Sequence, residues 1–341
     1  MRLDERKYMI LQAIIDDYIT TAVPVGSRTI SRKAGVSVSP ATIRNEMSDL
    51  EELGYLDQPH TSAGRVPSLK AYRLYVDHLM KTVRLNNVEA EQMHEHLTER
   101  TQRVETVIRS AANLLADATK YTSVIVSPRL STMRIRRVQL VPVNEHKALM
   151  VIITNAGLVK DAVVHVPEEL DDDGLYAVSR VLTQRLADKP LEAVRQTFAE
   201  MLKEGQINRR LLGETLNVIE QRLDMQDAAD IIVGGSTNLL NYPEYADIHR
   251  AMDLLNALES PKTLYKLVRR DDSREINIHI GPENGVPELS DCSVVTAHYS
   301  VADTPGGTLA IVGPTRMNYN RVIAVLEFMG QALSEVLANR T

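Results

Sequence analysis

SPATIRNEMSDLEELGYLDQPHTSAGRVP, residues 39–67, reads as one helix followed at once by a hairpin. Ile43, Met47, Leu50 and Gly54 fall at i, i+4, i+7 and i+11, the spacing of a single helix face, and Pro40 suits that helix's first turn. Stepping about 100° per residue puts Ala41, Asn45 and Ser48 on the opposite face, with Thr42 and Arg44 at its margins. Small residues, an amide, a hydroxyl and a guanidinium let a helix enter a DNA major groove. There Arg can donate twice to guanine and Asn can pair bidentately with adenine. Glu51 and Glu52 lie near the C-terminal end, where such a helix leaves the groove. Beyond Gly54, Tyr55–Gln58 reads as a short strand, His60–Gly64 as a turn and Arg65–Pro67 as the returning strand. A hairpin in that place is a wing, and Arg65 is placed on it to reach phosphate or minor groove.

Upstream, residues 5–22 set Ile10, Leu11, Ile14, Ile15, Tyr18 and Ile19 along one helical stripe, which Pro24-Val25-Gly26 ends. Ser27 reads as the N-cap of a short second helix, Arg28–Ala34, closed by Gly35. Downstream, Ser68–Met80 carries Leu69, Tyr72, Tyr75, Val76 and Leu79, a helix that packs back on the module. Residues 1–82 are therefore expected to form a winged helix-turn-helix. Its candidate DNA contacts are Ser27, Arg28, Lys33, Ser39, Ala41, Thr42, Arg44, Asn45, Ser48, His60 and Arg65. Within this set Arg28, Lys33 and Arg65 suit phosphate, while Arg44 and Asn45 suit bases. A three-helix module with no DNA role is the competing reading; the hairpin and Arg65 tip the balance away from it.

Charge alone decides little. The chain carries a net −6, yet residues 24–75 hold seven Lys/Arg against five Asp/Glu. The asymmetry permits nucleic acid as a partner without establishing it. At 341 residues, two or three domains are expected, and a 44% hydrophobic, 25% charged composition is ordinary for a soluble globular protein. With one cysteine, Cys292, no intrachain disulfide can form, which fits a reducing cytoplasm. The charged start, Met1–Lys7, is no signal peptide, and no apolar run approaches the ~18 residues of a membrane span, so a cytoplasmic protein with no membrane partner is expected.

Residues 86–118 place Leu97, Thr101, Val104, Ile108, Ala111, Leu115 and Ala118 alternately four and three apart. That seam suits a dimer coiled coil or, the favoured reading, a helix packed on its own domain. Strand-like runs follow at Ser123–Val126, Val138–Val143, Ala148–Thr154 and Leu158–Val164, with a turn at Asn155-Ala156-Gly157. Residues 168–226 switch to helix, with stripes Leu175, Val178, Val181, Leu182, Leu186 and Leu211, Leu212, Leu216, Ile219, Leu223. Strands resume at Ile276–Ile280, Val294–Tyr299 and Thr308–Val312, before a final amphipathic helix through Val322, Leu326, Leu333 and Leu337. Strands interrupted by a helical block and then resumed imply an α+β domain carrying an insertion.

No catalytic, metal or cofactor site is expected. Cys292 lies at a loop–strand junction outside any nucleophile motif, with His298 beyond it. His94 and His96 sit at i, i+2 on a helix and do not share a face. Asp171-Asp172-Asp173 reads as a helix cap and dipole partner. Gly234-Gly235 and Gly306-Gly307 are isolated turn glycines with no phosphate-binding fingerprint.

Several long motifs resemble one family. Pro24–Thr29, Ser39–Met47, Leu50–Leu56 and Gln58–Pro67 look like the N-terminal signature of the heat-inducible transcription repressor family, HrcA. Leu289–Val294 and Gly307–Tyr319 resemble its C-terminal block. The resemblance implies a GAF-like α+β domain, at residues 83–165 and 260–341, carrying a mainly helical dimerising insert at 166–259. It implies a homodimeric repressor of chaperone operons on double-stranded DNA, at an inverted-repeat operator called CIRCE, kept active by a GroEL-type chaperonin. A regulator gated by a small molecule in the GAF-like domain is the alternative.

Overall fold

The computed structural model describes residues 3–33, 38–60, 63–80, 84–98, 104–127, 134–144, 146–155, 159–167, 170–189, 193–204, 211, 213, 215–216, 231–268, 275–301 and 304–338. Helix α1 (Glu5–Thr21) starts where the Asp4 carboxylate accepts the Lys7 N–H, and it ends with Ala22 in the left-handed region. Its buried stripe is Ile10, Leu11, Ile14 and Ile15, the innermost part of the expected one. Helix α2 (Ser27–Ser31) turns in Ile30; its cap is Gly26, so Ser27 stands inside the first turn and caps nothing. Helix α3 (Pro40–Glu52) is capped by Ser39, whose Oγ accepts the Thr42 N–H at 3.2 Å. Strands β1 (Leu56–Asp57) and β2 (Val66–Pro67) pair antiparallel as the wing, and Val25 joins them through a bridge to Arg65. Helix α4 (Leu69–Leu74), capped by Ser68, runs on into a π-helical turn, Tyr75–Leu79. The expected winged helix-turn-helix is formed.

Beyond it, helices α5 (Asn87–Thr98) and α6 (Val104–Thr119) lead to strand β3 (Thr122–Val126). A second run of elements follows: β4 (Ile135–Asn144), β5 (Lys147–Thr154), β6 (Val159–His165), α7 (Asp172–Leu186) and α8 (Val194–Glu204). The chain then returns through β7 (Ile231–Gly234), α9 (Ile248–Glu259), α10 (Pro261–Val268), β8 (Ile276–Ile280), β9 (Cys292–Val301), β10 (Thr304–Pro314) and α11 (Tyr319–Ala338).

Besides the wing, two separate antiparallel sheets form among the described residues. The larger runs β7-β3-β10-β9-β8, and the smaller is the meander β4-β5-β6. Period-two alternation gives the large sheet two apolar faces. Ile125, Val295, Ala297, Leu309 and Ile311 belong to the core that includes α6 and α11. Val124, Val294, Ala310 and Val312 pack with Leu254, Leu258, Leu264 and Leu267 of α9 and α10. Helix α6 buries Val104, Ile108, Ala111 and Leu115 of the expected seam together with Val107 and Ala112, so it packs on its own domain; Thr101 lies outside the described residues. The meander turns Val138, Leu140, Ala148, Met150, Ile152, Ala162 and Val164 inward, in one core with Leu175, Val178, Leu182 and Leu186 of α7.

The sheets divide the chain differently from the expected grouping. β4–β6 fall in the stretch assigned to the GAF-like domain, yet among the described strands they pair only with one another; β7 falls in the expected insert, yet it pairs with β3. Alternation marks a segment as a strand but carries no information about which sheet receives it. Most of the second helical stripe, including Leu212, Ile219 and Leu223, lies outside the described residues. Among the described residues, no helix is long and apolar enough to cross a membrane.

Candidate nucleic-acid interface

Three buried side chains aim helix α3. Ile43, Met47 and Leu50 lock one face against the core, which leaves Ala41, Arg44, Asn45 and Ser48 exposed on the other and Thr42 half-buried. Two of the four acidic residues of α3, Glu46 and Asp49, are paired with α1. Lys7 of α1 donates to Glu46 at 2.7 Å and lies 3.0 Å from Asp49, and Arg6 reaches Glu46 at 3.5 Å. The hydrogen bonds it donates to Glu46 and Asp49 raise the Lys7 pKa, so this ammonium stays charged. The carboxylates are thereby neutralised on the α1 side of the helix, away from the exposed polar face.

The cations among the expected contacts divide into two groups. Arg28 is exposed in the first turn of α2 and Arg44 on α3, and among the described residues neither has a side-chain partner. Lys33, by contrast, forms an ion pair with Asp17 of α1 at 2.8 Å. Arg65 is also held: its Nε and Nη2 meet Glu51 Oε2 of α3 at 2.8 and 2.7 Å, and its backbone exchanges two hydrogen bonds with Val25. In place of a free side chain directed at DNA, Arg65 joins α3, the wing and the segment before α2. Gly64 permits this closeness, since a Cβ there would stand 2.4 Å from the Val25 carbonyl oxygen.

Ser39 spends its hydroxyl on the cap, within 2.9 Å of the Thr42 hydroxyl. Ser27 is half-buried, and His60 is exposed where its carbonyl accepts the Ala63 N–H in the wing turn. The interface thus brings together Arg28, Ala41, Arg44, Asn45 and Ser48 as accessible groups, and it binds Lys33 and Arg65 internally. Arg32, exposed at the end of α2 and without a partner among the described residues, is a further free cation. Its neighbour Lys33 drew attention in the sequence; adjacency to a basic residue was the available signal.

Cys292, His298 and Asp171 have structural surroundings of their own. Cys292 is buried 3.1 Å from the Tyr245 hydroxyl, and burial pushes its thiol up to about 12. His298 lies six residues along β9, roughly 20 Å away at strand rise. Asp171 caps α7 by accepting the Gly174 N–H at 2.8 Å, the role its position suggested.

Comparison with known proteins agrees with this geometry. A model described as "Winged helix-turn-helix transcription repressor, HrcA DNA-binding" matches residues 2–79, and one described as "HrcA protein C terminal domain" matches residues 105–323. The "Heat-inducible transcription repressor HrcA" of Ruminiclostridium cellulolyticum is 42% identical over 98% of this chain and 97% of its own length. The protein of the same name from Halalkalibacterium halodurans is 38% identical over 99% and 98%. A crystal structure described only as that of a hypothetical protein at 2.2 Å resolution superposes with a TM-score of 0.69, at 28% identity and full coverage of both chains.

Proposed function

This chain belongs to the HrcA family of heat-inducible transcription repressors, and from that premise we propose that it silences chaperone operons as a cytoplasmic homodimer on the CIRCE inverted repeat. The exposed Arg44–Asn45 pair on α3, with Glu46 and Asp49 held by Lys7 and Glu51 by Arg65, is the observation that carries the DNA reading. Arg44 and Asn45 read bases, and Arg28 and Arg32 contact phosphate. Arg44→Ala is expected to cost about 1–3 kcal/mol on operator and to narrow its margin over scrambled duplex. An unchanged ratio of the two affinities would remove α3 from the groove. A footprint upstream of a chaperone operon supplies the operator for that measurement.

The outer face of the small meander supports the homodimer. Val141, Leu149 and Val163 stand in one cross-strand row and Ile153 and Val159 in another, with Val141, Val159 and Val163 exposed. A second copy laid on this face buries those rows and relates the two reading heads by a two-fold axis, as an inverted repeat requires. On this reading the dimerising insert spans β4 to α8, and the GAF-like domain resumes at β7. Leu149→Asp is expected to give monomers in sedimentation; a dimer that survives it uses another surface. Regulation follows the family: a GroEL-type chaperonin keeps the repressor competent. Added chaperonin should therefore raise the operator-bound fraction, and no change on its addition would exclude that partner.

A further inference from the structure

The C-terminal motif singled out in the sequence, Gly307–Tyr319, takes no part in the DNA-reading face. Its end lies where the winged helix meets the rest of the chain. Arg316, 7% exposed, donates from Nη1 to the carbonyl of Ile19 at 3.0 Å and from Nε and Nη2 to the two oxygens of Glu244 at 2.5 and 3.2 Å. Ile19 is in the last turn of α1, where helix carbonyls have no partner within the helix and the dipole is negative. A guanidinium there satisfies an orphan acceptor and a carboxylate on opposite sides of a domain boundary.

The surrounding contacts are of the same kind. Tyr319, fully buried, sets its ring 6.4 Å from that of Tyr72 on α4. The next residue of α4, Arg73, donates to the Ile278 carbonyl at 2.7 Å and pairs with Glu283. A buried charge that has lost its water holds its partners tightly, because separating them leaves an uncompensated ion. We infer that Arg316 is a positioning residue: it fixes the winged helix on the body, so that the pair of reading heads accepts one half-site spacing. This rests on the dimeric reading above, since spacing has meaning only for two linked heads.

The test compares wild type, Arg316→Ala, Arg316→Lys and Glu244→Gln on three duplexes. One carries the footprinted inverted repeat, one the same repeat with about five base pairs (half a helical turn) inserted at its centre, and one a single half-site. In the wild type, half a turn prevents both heads from engaging at once and should cost on the order of a hundredfold or more. Arg316→Ala should bind the single half-site like wild type, bind the native repeat more weakly, and show a spacing penalty below about tenfold. Arg316→Lys, too short and single-pronged to serve Ile19 and Glu244 together, should fall between them. A lowered melting temperature with the wild-type spacing penalty would make Arg316 merely structural and overturn the inference. Tighter binding of the native repeat would also overturn it, because the contact would then hold the head away from DNA. If Arg316→Ala does not fold, Glu244→Gln gives the same readout from the partner side. A wild type that sediments as a monomer and shows no spacing penalty overturns the dimeric reading, and this inference with it.

Discussion

Replacing Glu51 by Gln asks whether Arg65 serves the DNA or the protein. The substitution keeps the size of the side chain and removes the charge that Arg65 grips through two contacts of 2.8 and 2.7 Å to one oxygen. The two side chains are 19% and 33% exposed, so the pair lies between the surface and the interior. An exposed ion pair contributes about 0.2–1 kcal/mol, and a hydrogen bond to a charged group about 1.5–3 kcal/mol. A loss of about 1–2 kcal/mol in the stability of the winged helix is therefore expected for Glu51→Gln, for Arg65→Ala and for the double variant alike, since one interaction is removed in each. Denaturant melts in a double-mutant cycle measure that coupling. The DNA arm is a fluorescence-anisotropy titration of operator over a range of salt. If Arg65 braces the wing, Arg65→Ala weakens binding while the slope of log K against log salt stays put. If Arg65 instead swings to a phosphate, its loss flattens that slope by about one unit, and Glu51→Gln tightens binding by freeing it. A flattened slope, or tighter binding by Glu51→Gln, would refute the bracing role.

Three further outcomes follow from the structure. Gly64→Ala places a methyl 2.4 Å from the Val25 carbonyl oxygen and 2.8 Å from the Pro24 carbonyl carbon, backbone atoms that cannot step aside; about 2–3 kcal/mol of stability should go, read by thermal melting. The Glu89 carboxyl is held below its ordinary 4.5 by the hydrogen-bonded Arg321 guanidinium. A depressed folded pKa stabilises fully above the unfolded value and is lost as pH falls through the folded one, so the gap between wild type and Glu89→Gln should be complete at neutral pH and close below pH 4.5; a gap that persists in acid would deny the linkage. Cys292, with its thiol pushed up to about 12, should resist iodoacetamide in the native protein at mildly alkaline pH and react after denaturation, and fast native labelling would contradict its burial.

The parts of the fold legible in the sequence were those set by near neighbours. Pro40 and the Ile43, Met47, Leu50 face mark helix α3 because a first-turn proline and a 3.6-residue period are both local. The cap of α2 went wrong by one residue: Gly26 has no side chain to advertise a cap, and Ser27 beside it has the right chemistry in the wrong place. What was not legible depends on partners far along the chain. β3 finds β7 across more than a hundred residues, with the whole β4–β6 meander between them, and no feature of either strand names the other. Val107 and Ala112 are buried because α6 faces both α11 and the sheet, a width of contact that a heptad seam leaves out.

The same distinction governs the charges of the reading head, and it changes what the small excess of basic residues in 24–75 means. Counting treats each cation as available, whereas the fold assigns most of them a task. Lys33 faces Asp17, Arg65 faces Glu51, Arg73 faces Glu283, and Lys70 sits 4.3 Å over the Tyr55 ring while donating to the Leu53 carbonyl. Arg28, Arg32 and Arg44 remain as the free cations among the described residues of that stretch. So few phosphate contacts per head supply little sequence-independent attraction, since that term grows with the number of phosphates neutralised. A head of this kind cannot hold DNA by charge alone. On the reading proposed above, its selectivity comes from the exposed Arg44–Asn45 face and from the rigidity with which Arg316, Tyr319 and Arg73 present that face, so the contacts behind the winged helix matter to recognition as much as those in front of it.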